Sequence, residues 1–470
     1  MPPFREPPTD AERDRAIGVL LGTAVGDALG AAGDSGPPGL WTGNTAMAIA
    51  IAELATTSSD LQGEKRHDEI VERWSWWART ATDVDPQTRK VLNAAAQNEI
   101  SADAARAAAT AWSESGQPAT NASLARTAPV ALANLQDEWT TALVARKVSA
   151  LTHTEPDAVD ACVLWCLAIR HAVWTGQLDV RIGLDRLPSE CRALWEARIA
   201  EAENSRPAAF AGVNSGAVAA LQGAWSAIAT TPVPETDPAS GVFAADHFRL
   251  AVQAAVRAGG DTAAVGAIAG ALLGAAYGAS AVPAQWRLGL KGWPGLNTRL
   301  LVALVDKIIN EGEPQRFDYT YLSHRKHPQS RRHPHDSGVW IGSAPALKAL
   351  PGGVDTVISL CQVADGDIPP GVRHLDVRLI EGLSDTILDF VLLDTVRIIE
   401  HLRNQGATVF VHGLCGHSRT PAVAALYGAR RTGIDVYRSL SDVCVLLPET
   451  DLSPTFRTAL GRLHPSKGNE

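Results

Sequence analysis

The chain has 470 residues, 46% of them hydrophobic and 20% charged, with a formal net charge of -9. That length and composition support two or three globular domains with large cores, and the acidic balance excludes a general nucleic-acid binder, which needs a basic surface to neutralise phosphates. The six cysteines have neither paired metal-ligand spacing nor the density of a disulfide scaffold, so they read as free, mostly buried thiols.

Residues 1 to about 12 are Pro-rich and lack the apolar run of a signal peptide, so a cytoplasmic location is expected. Gly18, Gly22, Gly26 and Gly30 then recur at every fourth position of AIGVLLGTAVGDALG, on one line of a helix running from about Asp14 to Leu29. A Gly/Pro loop spans residues 30–40, Trp41 to Thr45 form a turn with capping chemistry, and Ala46 to Ala55 open the next helix. Ala-rich helical patterns continue to about Glu311, broken by SGQPAT, SRPAA and TTPVPETDPASG, with almost no strand signal. This part is expected to be all-α.

A second ladder, Gly266, Gly270, Gly274 and Gly278, lies in DTAAVGAIAGALLGAAYG. Four glycines in a helix interior cost about 4 kcal/mol relative to alanine unless a neighbouring backbone packs closely against them. The two ladders are therefore expected to pair as central helices. The uncharged run from Thr262 to Gln285 is long enough for a bilayer. Ala and Gly dominate it, however, and the mean hydropathy of the chain is -0.02, so it reads as soluble core and no membrane partner is expected.

Six motifs in order, GVLLGTAVGDALG, WTGNTAMAIAIAE, TNASLARTAPVAL, LTHTEPDAVDACVLW, NSGAVAALQGAW and GGDTAAVGAIAGALLGAAYG, resemble the ADP-ribosylglycohydrolase family over about residues 12–312. The resemblance implies an all-α fold, two bound Mg²⁺ ions, and cleavage of an N- or O-glycosidic bond to ADP-ribose. The carry-over is incomplete. The family's Thr-Asp-Asp ligand run falls on Thr42, Gly43 and Asn44, and its second acidic run on Asp261, Ala263 and Ala264. One of four ligand carboxylates remains, so no Mg²⁺ pair and no other cofactor is expected; a weak single site at Thr42, Asn44 and Asp261 is the most the motif allows.

The same resemblance assigns a ligand cradle. Asn121 and Ser123 fall in its ribose and phosphate loop, His153 in a motif lining the cleft, and Asp34 and Thr42 among the ligand-binding positions. Asp261, His153 and Asn44 are the candidates for positioning water or substrate. By residue type alone, His153 also reads as a hydrogen-bonded structural histidine, and Asp261 as a helix N-cap. The expected partner is a nucleotide or an ADP-ribosylated substrate.

After Glu313 the composition changes. HRKHPQSRRHPHD, residues 324–336, has no apolar periodicity and reads as solvated linker rather than a nucleic-acid site. The expected division is a helical domain at 1–318, a basic linker at 319–337 and a second domain at 338–470. In the last, GVWIGSA, VDTVISLC and ATVFVHG are β-rich runs between helical segments, which predicts an α/β domain with a mostly parallel sheet.

Its centre, VFVHGLCGHSRTPAVAALYGAR, reads as a strand, a turn of small residues and a helix opening near Thr420. Backbone N–H groups at such a turn converge on an anion, and Arg419 is suited to clamp it. Over roughly residues 338–445 this resembles the dual-specificity branch of the protein tyrosine phosphatases. The implied phosphate loop is Gly413, Leu414, Cys415, Gly416, His417, Ser418 and Arg419, but the nucleophilic cysteine position is Gly413. Thiolate chemistry needs that cysteine; Cys415 lies two residues nearer Arg419. The family's general acid falls in the region of Glu381 and Asp385. Phosphate binding without turnover is the expectation here. For the whole chain two readings stand: a metal-poor glycohydrolase acting on an ADP-ribosyl or NAD-related nucleotide, and a pseudoenzyme that binds ADP-ribose and phosphate without turnover.

Overall fold

The computed structural model describes residues 8–33, 38–57, 60–97, 100–310, 328–363, 366–377, 379–380 and 382–464. They fall into two compact units. The first comprises Met1–Pro232, His247–Val282 and Gly289–Gln315, the second Val233–Asp246, Pro283–Leu288 and Arg316–Glu470. The boundary differs from a single cut near residue 318 because two early segments have partners in the second unit. The ring of Phe243 packs edge-on against Phe390 at 5.7 Å, and the Ala284 N–H donates to Asp394 Oδ2 at 2.7 Å.

Among the described residues the first unit is helical apart from a hairpin of two-residue strands, β1 (Lys291–Gly292) and β2 (Leu296–Asn297). At its centre the helices Asp10–Ala32 and Thr262–Tyr277 run antiparallel through the two glycine ladders. A methyl group on Gly18, Gly22, Gly26 or Gly30 would overlap the backbone carbonyl of Gly274, Gly270, Gly266 or Thr262 respectively. Only glycine permits backbones that close, which is the packing that offsets the helix-propensity cost. The pair is pinned at both ends: Ser280 Oγ donates to Asp14 Oδ1 at 2.9 Å, and Thr262 Oγ1 to the Gly30 carbonyl at 2.7 Å. Asp10–Ala32 and Pro156–Thr175 are long and apolar enough to cross a membrane by composition, but 83% and 72% of those windows are buried inside the protein.

The second unit holds a five-stranded sheet of order β3-β4-β7-β5-β6. Its strands are β3 (Ser330–His333), β4 (Asp336–Ser343), β5 (Thr356–Ser359), β6 (Arg373–Asp376) and β7 (Val409–Gly413). All pairings are parallel except β3 with β4. Every residue of central β7 is buried, as a strand covered on both faces requires. β3 corrects the linker reading of 324–336. Its charged SRRH sequence suits an edge strand, and the buried His333 anchors it through Nε2 to the Ala424 carbonyl at 2.9 Å.

Candidate functional site

Antiparallel pairing of the ladders brings the end of the 10–32 helix beside the start of the 262–277 helix. Four helices, Gly43–Ala55, Pro86–Ala95, Ala122–Arg126 and Thr262–Tyr277, begin there with Thr42, Asp85, Asn121 and Asp261 as N-caps. All four caps line one cleft of about 270 Å³, together with Gly43, Asn44, Met47, Trp77, Asp83, Pro86, Ala122 and Ala263. Three of these side chains are carboxylates and none is basic. The positive ends of the helix dipoles oppose that acidic charge.

Each wall is held by hydrogen bonds. Asp27, buried in the ladder helix, accepts from the Thr42 N–H at 2.9 Å, Thr42 Oγ1 at 2.6 Å, the Thr45 N–H at 3.0 Å, Thr45 Oγ1 at 2.6 Å and Asn44 Nδ2 at 3.3 Å. Burial raises the pKa of Asp27, opposed by the Thr42 and Thr45 donors. Asp83 Oδ2 accepts from the Gly43 N–H at 2.6 Å, and Asp85 Oδ2 from the Thr88 N–H at 2.8 Å.

Asp261 caps its helix through the Ala264 N–H at 3.3 Å and also accepts from Asn121 Nδ2 at 2.9 Å. It is both an N-cap and a cleft residue. Its own N–H donates to Asn214 Oδ1 at 2.8 Å. Gly260 before it has φ of 75° and would crowd Asn214 with any side chain, so glycine fixes this turn.

Thr42, Asn44, Asn121 and Asp261 thus come together, whereas Ser123 and His153 do not reach the cleft. Both are fully buried. Ser123 Oγ lies 3.6 Å from Cys162 Sγ, and His153 is held between Thr120 Oγ1 and Thr152 Oγ1, each at 2.7 Å. Burial, then the nearby Arg126 charge, push the imidazole pKa well below its usual value. A neutral ring supporting Thr120, the neighbour of Asn121, replaces the expected cleft residue. Asp34 lies outside the described residues.

The cleft carboxylates Asp83 and Asp85 escaped the sequence reading, since in DVDPQT an Asp before a Pro has the form of an ordinary helix start. So did Arg126, fully buried over the Trp74 ring at 4.3 Å. Burial lowers its pKa to about 10, with the Asp85 charge opposing.

A Mg²⁺ pair needs near-octahedral oxygen shells. Among the described residues no three His, Cys, Asp or Glu side chains are grouped to hold a metal. Thr42 Oγ1 is committed to Asp27, and the Asn44 side chain turns its amide nitrogen toward Asp27 and Thr42. The residues present do not fit the pair.

In the second unit the 413–419 loop joins β7 to the helix Arg419–Thr432, at the carboxyl end of the parallel strands, the edge where open α/β sheets bind ligands. Thr420 Oγ1 accepts from the Gly413 N–H at 2.6 Å and donates to the Gly342 carbonyl at 3.0 Å. The N–H groups of Leu414, Gly416 and Ser418 make no backbone hydrogen bond among the described residues.

His412 is buried, 2.7 Å from Ser359 Oγ, with its pKa lowered to about 4 by burial. Burial raises the Cys361 thiol to about 12, opposed by the Arg419 charge. A Cβ at Gly413 would sit 3.2 Å from Thr420 Oγ1. Asp385 opens the helix Asp385–Asn404 and pairs with Arg462 at 3.5 Å; Glu381 lies outside the described residues.

Among solved structures, human DUSP28 is 24% identical, with 29% of this chain and 93% of that chain covered and a TM-score of 0.26. A mouse putative dual specificity phosphatase complexed with zinc tungstate is 23% identical, covering 29% and 85%, with a TM-score of 0.26. The human tyrosine phosphatase-like serine/threonine/tyrosine-interacting protein is 18% identical, covering 28% and 94%, with a TM-score of 0.24. No curated protein matches the chain. The family model of ADP-ribosylglycohydrolase matches residues 8–317, and the chain belongs to that family.

Proposed function

We propose that the first unit binds the ribosyl part of an ADP-ribosyl or NAD-related nucleotide in the cleft and hydrolyses its N- or O-glycosidic bond without a Mg²⁺ pair. The observation that carries this reading is the convergence of Thr42, Asn44, Asn121 and Asp261 on one cleft, with Asp83 and Asp85 on the same walls. Cleavage of a glycoside passes through an oxocarbenium-like transition state. Three carboxylates and no basic side chain favour that developing positive charge. Asp261, oriented by Asn121, takes the proton of a water whose oxygen bonds to the anomeric carbon as the bond to the leaving nitrogen or oxygen breaks; the departing group takes a proton from solvent. Asn44 positions the substrate hydroxyls. The pyrophosphate extends away from the carboxylates, toward solvent.

The 413–419 loop binds phosphate and does not turn it over through a thiolate at its usual position, because Gly413 carries no side chain. A second reading, a binding protein without turnover, is favoured by Gly43, Ala263 and Gly413, which leave both sites without the reactive side chains that the resembled families use. Mass spectrometry of the protein with NAD, ADP-ribose and ADP-ribosylated peptides separates the two: new product masses support hydrolysis, and binding without products supports the reader. Saturation at 100 times the dissociation constant stabilises the unit by about 2.7 kcal/mol. No thermal shift with ADP-ribose, NAD or AMP at millimolar concentration would sink both.

A further inference from the structure

Behind the cleft wall lies a charge that takes no part in the chemistry above. Arg126 closes the short helix Ala122–Arg126 and is fully buried. Among the described residues its partners are all neutral. The guanidinium stands 4.3 Å from the centre of the Trp74 ring, Nη1 lies 3.6 Å from Met47 Sδ and donates to Thr88 Oγ1 at 3.2 Å, and Nη2 donates to Thr152 Oγ1. Nε is buried without a partner. Taking an unpaired cation out of water is costly, and an apolar side chain of similar length would fill the same place without that cost.

Two lines of hydrogen bonds run from this guanidinium to the cleft. In the first, the N–H of Thr88 donates to the cleft carboxylate Asp85 at 2.8 Å. In the second, Thr152 Oγ1 lies 2.7 Å from His153 Nδ1, and His153 Nε2 lies 2.7 Å from Thr120 Oγ1. Thr120 directly precedes Asn121, which orients Asp261. Met47, the third contact, lines the cleft itself. With the guanidinium held on a lone pair of Thr152, the threonine hydrogen is directed to Nδ1 of the neutral ring; the ring proton then sits on Nε2 and faces Thr120. A planar fork reaches Thr88 and Thr152 on separate segments at once, which the point charge of a lysine does not.

We propose that Arg126 is a positioning residue of the cleft: its fork holds the segments that carry Asp85 and Asn121 together and keeps the His153 ring proton on Nε2. This rests on the nucleotide reading above, because the arrangement is read out as affinity for the ribosyl ligand. Loss of an outer support of this kind costs about tenfold to a hundredfold in function.

The test compares wild type, Arg126→Met, Thr152→Val and the double variant as full chains. It uses calorimetry with ADP-ribose, ligand-free melting, and nitrogen NMR shifts of the His153 ring, assigned with His153→Gln. Expected in Arg126→Met are about tenfold weaker binding, ligand-free melting no lower than wild type, and a mixture of ring tautomers where wild type has the Nε2–H form alone. Residues acting on one line are not additive, so the double variant should bind no more weakly than Arg126→Met. Equal binding by wild type and Arg126→Met overturns the positioning role and leaves the nucleotide reading standing, as do an unchanged tautomer or additive losses in the double variant. Weakened binding with lowered ligand-free melting makes Arg126 structural and also overturns it. Failure of wild type to bind ADP-ribose removes the nucleotide reading, and the positioning role with it.

Discussion

The side-chain amide of Asn121 donates to Asp261 Oδ2 across 2.9 Å, joining residues 140 positions apart. The same nitrogen donates to the Asn214 carbonyl at 2.8 Å, so one buried amide ties three segments of the cleft together. Asn121→Ala leaves both acceptors without this donor, and an unsatisfied buried polar group costs about 1–3 kcal/mol. Denaturant unfolding is expected to show a loss of that size. Asn121→Asp should lose more, because it sets a second carboxylate against Asp261.

Gly270 tests the ladder. Alanine there gains about 1 kcal/mol of helix propensity, but its methyl would overlap the Gly22 carbonyl. Backbone cannot swing aside as a flexible side chain does, and overpacking costs about 1–3 kcal/mol or more. Gly270→Ala is expected to lower the melting temperature; an unchanged or raised value would contradict the ladder packing.

Acid stability follows from the buried histidines. The unfolded chain takes up a proton on each near pH 6.5, whereas His412 in the fold does so near pH 4. The stability from the neutral ring is complete above pH 6.5 and is lost as pH falls from 6.5 toward 4, by up to about 1.4 kcal/mol per pH unit. His412→Gln should flatten the second unit's stability profile over that window. An identical slope in the variant would remove His412 from the account.

Gly413→Cys is expected to fold, because the one tight contact of the added Cβ is the Thr420 hydroxyl at 3.2 Å, relieved by a shift of a few tenths of an ångström, while Arg419 Cβ at 3.6 Å is in ordinary contact. Wild type should show no cysteine-dependent hydrolysis of an aryl phosphate, and the variant should gain it if the loop is otherwise competent. Activity in wild type that Cys415→Ser abolishes would make Cys415 the nucleophile instead.

How far the sequence led depends on what kind of signal each residue leaves. Glycine at every fourth position admits few explanations besides a close helix pair, and the antiparallel ladders are that pair. Thr42, Asn121 and Asp261 were legible because they sit at helix starts within ordered motifs. Ser123 stands two residues beyond Asn121, which turns its side chain by more than half a revolution into the core, and His153, in the turn between two helices, is held in the core by Thr120 and Thr152. Asp83 and Asp85 were hidden because an acid before a helix is usually only a cap. In the second unit the buried runs of β4, β5 and β7 were visible as apolar stretches. The edge strands β3 and β6, SRRH and RHLD, carry the charge that protects an edge; β3 therefore reads as linker, and β6 leaves no apolar run to mark it.

A ribosyl cleft that works without a Mg²⁺ pair is tested most directly by turnover of an ADP-ribosylated peptide in chelator and in millimolar Mg²⁺. The expected result is release of ADP-ribose at the same rate in both, at least tenfold slower in Asp261→Asn, with no heat of Mg²⁺ binding at micromolar concentration. Release that chelator abolishes and Mg²⁺ restores, with two ions bound tightly, would contradict it.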